Sequence, residues 1–293
     1  VIIFMKENMN TKVRGRKDLE NLSIPFIGEI PQYLSAKKKL GFDKHTQSVM
    51  KAIVVKEGNR NIINEAFRVL RSNIDFMAGK DSGQNVFMLT SFNPGSGKSF
   101  LAMNIAMSFA IKKKRILVID GDLRHGSTSS YVDSPKTGLS DYLGNRVSDW
   151  KEIIVKDEKY DNLHIIPIGT VPPNPTELLE DGKLATLIEV LRSEYDYIFI
   201  DCPPIDIVAD AQIIEKLADR TVFVVRSGLL DRSMLPELEN IYQEKRFKNL
   251  SVILNGTESA GGRYGYRYGY RNGYSSYYGN KGKMGGGKWM VIK

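Results

Sequence analysis

Nine residues carry the clearest chemistry: Ser91-Phe92-Asn93-Pro94-Gly95-Ser96-Gly97-Lys98-Ser99. Glycines let backbone N–H groups turn toward a phosphate. A helix opening at the end of the loop adds the positive end of its dipole, the lysine reaches β/γ-phosphates, and the serine hydroxyl can ligate Mg²⁺. The expected nucleotide contacts are Gly95, Ser96, Gly97, Lys98, Ser99 and Phe100. Phe92 stands where the general loop pattern has its first glycine, a departure offset by the strand-like residues before the loop and the helical ones after it. A second cluster, Asp120-Gly121-Asp122-Leu123-Arg124, follows the apolar run Ile116–Ile119, and a third acid, Asp201, ends Tyr197-Ile198-Phe199-Ile200 and precedes Cys202-Pro203-Pro204. Acids at the carboxyl ends of strands face the ligand crevice of such sheets. Ser99, Asp120, Asp122 and Asp201 are therefore the expected Mg²⁺ and proton-handling groups. Cys202 reads as a small buried residue.

The elements that must position these groups alternate. Helical spacing runs from Arg60 to Met77, where Ile62, Ala66, Leu70, Ile74 and Met77 share a face. Strands are predicted at Val86–Thr90, Arg115–Ile119, Leu163–Pro167, Tyr197–Ile200, Thr221–Val225 and Ser251–Leu254, with helices over Ser99–Ile111 and Thr176–Arg192. Short apolar strands separated by helices imply an α/β fold: a mostly parallel, P-loop NTPase-like sheet with helices on both faces. Ile24–Pro31 reads as extended, because residues before proline avoid the helical region.

The chain has 293 residues and a net charge of +8, with 42 Lys+Arg and 34 Asp+Glu. Residues 1–51 carry +5, residues 52–260 carry −4 and residues 261–293 carry +7. Basic charge confined to the ends argues against a nucleic-acid-binding domain. One cysteine excludes an intrachain disulfide and a Cys-based zinc site, and His45, His125 and His164 share no metal spacing. Three regions result: an N-terminal, juxtamembrane segment (1–57), a P-loop domain (58–260) and a flexible tail (261–293). The tail holds seven of the 14 tyrosines, Tyr264, Tyr266, Tyr268, Tyr270, Tyr274, Tyr277 and Tyr278, with no acid. From Gly261 to Gly287 its only aliphatic residue is Met284, so this stretch cannot build a core. Val1-Ile2-Ile3-Phe4-Met5, followed by Lys6, Lys12, Arg14, Arg16 and Lys17, is what the cytoplasmic end of a membrane helix looks like, or a buried strand.

The loop, the Asp-x-Asp-x-Arg cluster and the Ile-Asp-x-Pro-Pro cluster together resemble the Walker A, A′ and B set of the bacterial tyrosine kinases. The stretch Asn59–Arg71 resembles that family's E-x2-R-x2-R motif, Pro172–Leu179 resembles another of its segments, and Gly28–Pro31 resembles the segment after the second membrane helix of Wzc-like polysaccharide co-polymerases. Asn93 stands where the related MinD/ParA ATPases carry a second lysine, which counts against an ATPase switch without kinase activity. A Tyr/Gly/Arg tail that binds RNA is the remaining alternative.

The resemblance implies transfer of the γ-phosphoryl of ATP, with Mg²⁺, to tyrosine. Asp120 is the first choice of base and Asp122 the second, with Lys98 stabilising charge. Arg124 is expected to hold a phosphate oxygen or to pair with Asp122, and Asn255 to meet the adenine. The tail tyrosines are the implied phosphoacceptors. Glu65, Arg68 and Arg71 are implied to join subunits into a ring, an octamer by resemblance; simple i,i+3 helix pairing is the other reading. Implied partners are a membrane-spanning region of the same or another chain, a phosphotyrosine phosphatase, and the polysaccharide polymerase and export machinery, at the cytoplasmic face of the bacterial inner membrane.

Overall fold

The computed structural model describes residues 11–33, 52–79, 83–205 and 209–258. Val1–Met5, the run Lys37–Lys39 and the whole tail with its seven tyrosines lie outside the described residues.

Among the described residues eight strands form one sheet. They are β1 (Phe26–Pro31), β2 (Val86–Thr90), β3 (Ile116–Asp120), β4 (Val155–Lys156), β5 (Leu163–Ile166), β6 (Tyr197–Asp201), β7 (Arg220–Arg226) and β8 (Ser251–Thr257), in the order β1-β8-β7-β2-β6-β3-β5-β4. Every neighbouring pair is parallel except β4–β5. The helices are α1 (Ile62–Ala78), α2 (Lys98–Ala110), α3 (Leu139–Leu143), α4 (Pro175–Glu180), α5 (Lys183–Glu194), α6 (Asp210–Glu215) and α7 (Leu235–Gln243).

Successive strand side chains point to opposite faces, and the strands are apolar on both. Phe87 and Leu89 of β2, Val118 of β3 and Phe199 of β6 join Phe67, Leu70 and Ile74 of α1 and Leu101, Ile105 and Phe109 of α2 in one core. Val86 and Met88, Ile119 and Ile200 join Leu187 and Leu191 of α5, Ile214 of α6 and Leu238 of α7 in the other. Helices therefore cover both faces, as the unbroken apolar strands imply.

The stretch Thr176–Arg192, expected as one helix, is two. Gly182 sits at φ +79°, a left-handed conformation that ends α4 and caps α5. β4 and the short helices α3 and α6 were not predicted, nor was α7. Each is shorter than the window that periodicity needs.

The basic N-terminal stretch is tied to the sheet. β1 pairs in parallel with β8 at the edge. Gly28 lets α1 lie close to it, since a Cβ there would come within 3.3 Å of Leu70 Cδ1. Buried Asn104 of α2 clamps the residues before α1: its Oδ1 accepts from the Val54 N–H (2.7 Å) and its Nδ2 donates to the Ala52 carbonyl (3.1 Å). Among the described residues no helix is long and apolar enough to cross a membrane.

Candidate active site

The loop from Ser91 to Gly97 joins the end of β2 to the start of α2, so it lies at the carboxyl edge of the parallel sheet. Ser91 Oγ and Ser96 Oγ both donate to the Asn93 carbonyl (2.8 Å each) and curl the loop. Gly97 has φ +91°, and a Cβ there would sit 2.3 Å from Asn255 Nδ2. Only glycine fits. Asn255, near the end of β8, donates that amide to the Ser96 carbonyl (2.8 Å). Phe92 is buried, its ring edge-to-face with Phe223 of β7 at 4.9 Å. Where the general pattern has glycine, this chain anchors its loop to the sheet through an aromatic pair. Lys98 is buried, with Nζ 3.3 Å from Ser91 Oγ.

The acids come together because β3 and β6 are adjacent and parallel, with Asp120 opposite Asp201. Gly121 N–H donates to the Asp201 carbonyl (2.8 Å). Ser99 Oγ and Thr128 Oγ1 (2.8 Å) both donate to Asp201 Oδ2. Asp120 Oδ2 accepts from the Ser129 N–H (2.6 Å) and Oγ (2.7 Å). The second oxygens, Asp120 Oδ1 and Asp201 Oδ1, are buried with no hydrogen-bond partner among the described residues. Burial, and then the Asp201 charge, pushes Asp120 up to about 8. Burial likewise raises Asp201, against the opposing pull of Lys98, Ser99 and Thr128.

Two orphaned carboxylate oxygens beside a serine hydroxyl are an oxygen-only donor set that fits Mg²⁺. That ion keeps several waters and completes its shell with substrate phosphates. Among the described residues no cluster of three or more His, Cys, Asp or Glu could hold a metal. A cavity of about 310 Å³ is lined by Lys98, Ser99 and Phe100 together with His125, Ser130 and Tyr131.

The other expected residues divide. Asp122 sits on the turn after β3, its carboxylate 3.2 Å from His125 Nδ1 and accepting from the Arg124 N–H (3.2 Å). The Arg124 guanidinium does not pair with Asp122. It reaches Asp210 of α6 (Nε–Oδ2 3.1 Å) and Thr176 of α4 (3.0 Å), and Thr176 in turn donates to Asp210 (2.6 Å). Asp210 is wholly buried, so this link cross-braces the turn against two helices. The Asn255 amide is used on the P-loop. Glu65 and Arg68 form an i,i+3 ion pair, and Arg71 donates to the Ser108 carbonyl (2.9 Å). Cys202 is fully buried and burial raises its thiol, which leaves it inert as a nucleophile. Thr128 and Ser129, which hold the two acids, were missed. The only signal was a run of small hydroxyl residues, Ser127–Ser130.

A family model described as an AAA domain matches residues 84–229. Tyrosine-protein kinase YwqD of Bacillus subtilis is 34% identical over 210 residues, covering 71% of this chain and 87% of that protein. A relative from the cps region of Klebsiella pneumoniae is also 34% identical, but the chain spans only 37% of its length. Among solved structures, the kinase domain of the Escherichia coli tyrosine kinase ETK superposes with a TM-score of 0.73 at 28% identity, covering 88% of this chain and all of that domain.

Proposed function

The chain belongs to the bacterial tyrosine-protein kinases, and from that premise we propose that it phosphorylates the tyrosines of its own tail. The observation that carries this reading is the pair Asp120 and Asp201, side by side at the strand ends, each with a buried unpartnered oxygen, next to Lys98 and Ser99.

A tail tyrosine hydroxyl attacks the γ-phosphorus of ATP. A P–O bond forms to the phenol, the bond to the β–γ bridging oxygen breaks, and ADP leaves with that electron pair. The phenol, with an ordinary pKa near 10, must lose its proton as this proceeds. Asp120 takes it: its carboxylate stands at the strand end beside Asp201 with one oxygen free of any hydrogen-bond partner among the described residues. Asp120 is fully buried and its other oxygen is held by Ser129, so the acceptor reaches it only when that cover moves. Asp122, on the turn after β3, is the second choice. Lys98 and the loop N–H groups hold the β- and γ-phosphate oxygens, and Gly95, Ser96, Gly97, Ser99 and Phe100 line the nucleotide's place. Ser99 and Asp201 would hold Mg²⁺, with Asp120 and Asp122 beside it. The ion would supply neutralisation of phosphate charge. Arg124 and Asn255 act as braces, the first between helices and the second under the P-loop.

The acid-free tail, at +7, is opposite in sign to the middle of the chain, at −4. Phosphorylating seven tyrosines would add roughly −10 to −14 charges and reverse its sign. Transfer occurs in trans within a ring held by Glu65, Arg68 and Arg71, at the cytoplasmic face of the membrane. There the chain works with a membrane-spanning region, a phosphotyrosine phosphatase and polysaccharide export machinery. If Arg68→Ala with Arg71→Ala leaves the particle size unchanged by light scattering, the ring assignment is wrong.

The test of the activity is phosphate mapping by mass spectrometry after incubation with Mg-ATP, with Lys98→Met as the control. Phosphate on Tyr264–Tyr278 in the wild type alone is the expected result. ATP hydrolysis without phosphotyrosine would leave an ATPase switch instead.

A further inference from the structure

A second cavity, of about 330 Å³, lies at the opposite end of α2 from the P-loop. Ser99 and Ser108 are nine residues apart on one helix, so roughly 14 Å separate the two places. The wall carries five cations, Lys56, Arg60, Arg68, Arg71 and Lys112, against one carboxylate, Glu57.

Two of the five have work within the fold. Arg68 pairs with Glu65, and Arg71 donates to the Ser108 carbonyl in the last turn of α2, where the helix dipole is negative. Lys56, Arg60 and Lys112 have no ion-pair partner among the described residues. Like charges crowd one another here: Arg71 is lowered by burial first and by the charge of Arg68 second. Ser108, also in the wall, has a buried hydroxyl with no partner. Converging unpaired cations around a concave space are what binds a doubly charged oxyanion.

We propose that this cavity is a binding site for a phosphate monoester dianion. Nothing in it can transfer a phosphoryl group, because it lacks the paired carboxylates of the P-loop edge. The cavity binds and does not react. Two sources share the chemistry: a phosphotyrosine of this chain's own tail, which rests on the kinase reading above, and free phosphate. A dianion seated here would neutralise Arg68 and Arg71 and so compete with the subunit contact proposed for them.

The test uses the chain of residues 1–293 carrying Lys98→Met, so that no turnover occurs, with Mg-ADP in excess. It is titrated by calorimetry with a synthetic peptide of residues 264–278 phosphorylated at Tyr270, with the same peptide unphosphorylated, and with inorganic phosphate. The peptide is synthetic, so the outcome does not depend on whether the chain is a kinase, and failure of that reading would show separately in the phosphate map. The phosphorylated peptide is expected to bind and the plain one not. Arg60→Ala with Lys112→Ala should weaken binding by at least about tenfold, the loss of charge-assisted hydrogen bonds. Arg60→Lys with Lys112→Arg should restore most of it. Tighter binding of the phosphopeptide than of phosphate identifies the tail as the source, and equal affinities identify free phosphate. Either supports the site. Equal binding by the alanine pair and its parent, or binding of neither probe, overturns it. An unchanged unfolding midpoint in the alanine pair separates lost binding from lost structure.

Discussion

The two ends of α2 make an informative pair. At its start, a glycine-bearing loop, one buried lysine and two carboxylates that lack partners for half their oxygens come together. At its end, five exposed or half-exposed cations line a cavity with a single acid. On the readings proposed above both places take phosphate, but only the first pairs two buried carboxylates with unpartnered oxygens. The difference separates transfer from binding: cations alone hold an anion, whereas moving a phosphoryl group between oxygens needs acids among them.

The largest expected effect lies at the first end. Lys98→Met removes the cation that meets the developing charge and should lower tyrosine phosphorylation by about three orders of magnitude, the scale of losing one such donor. Phosphopeptide affinity at the far cavity should not change. A loss at both ends would break the comparison.

Next comes the anchor of the loop. Phe92→Ala removes a buried ring from Phe223 and should destabilise the fold by about 3 kcal/mol, measured by denaturant unfolding. Nucleotide affinity should fall with it, because the loop loses its seat. If stability holds, the aromatic substitution in the P-loop has no anchoring role.

A smaller effect concerns pH. Asp120 has its folded pKa raised to about 8 from an ordinary value of 3.8. The unfolded chain therefore releases this proton first, and the native state loses stability as pH rises from about 4 to about 8. Asp120→Asn removes that penalty and keeps an acceptor for the Ser129 bonds. Without nucleotide or Mg²⁺ it should melt higher than the wild type at pH 8 and alike at pH 4. An equal midpoint at both pH values would mean that the carboxylate pair is not strained.

The first end of α2 was largely legible in the sequence, and the second was not. The P-loop is continuous in the chain, and strand-end acids announce themselves after apolar runs, so Lys98, Ser99, Asp120 and Asp201 could be read together. Their supports could not be. Arg124 meets Asp210 across 86 positions, and Asn255 meets Ser96 across 159. No periodicity marks such pairs. The cavity has the same origin: Lys56 and Arg60 precede α1, Arg68 and Arg71 lie on it, and Lys112 follows α2, so packing alone brings them around one space. The break between α4 and α5 turned on a single residue, Gly182, inside an otherwise helical pattern.

The most direct measurement is the rate of tyrosine phosphorylation in Asp120→Asn at saturating Mg-ATP, with ATP affinity measured alongside. The account expects a fall of at least about a hundredfold, the low end for a lost general base, with ATP still bound. A rate equal to that of the wild type would contradict it.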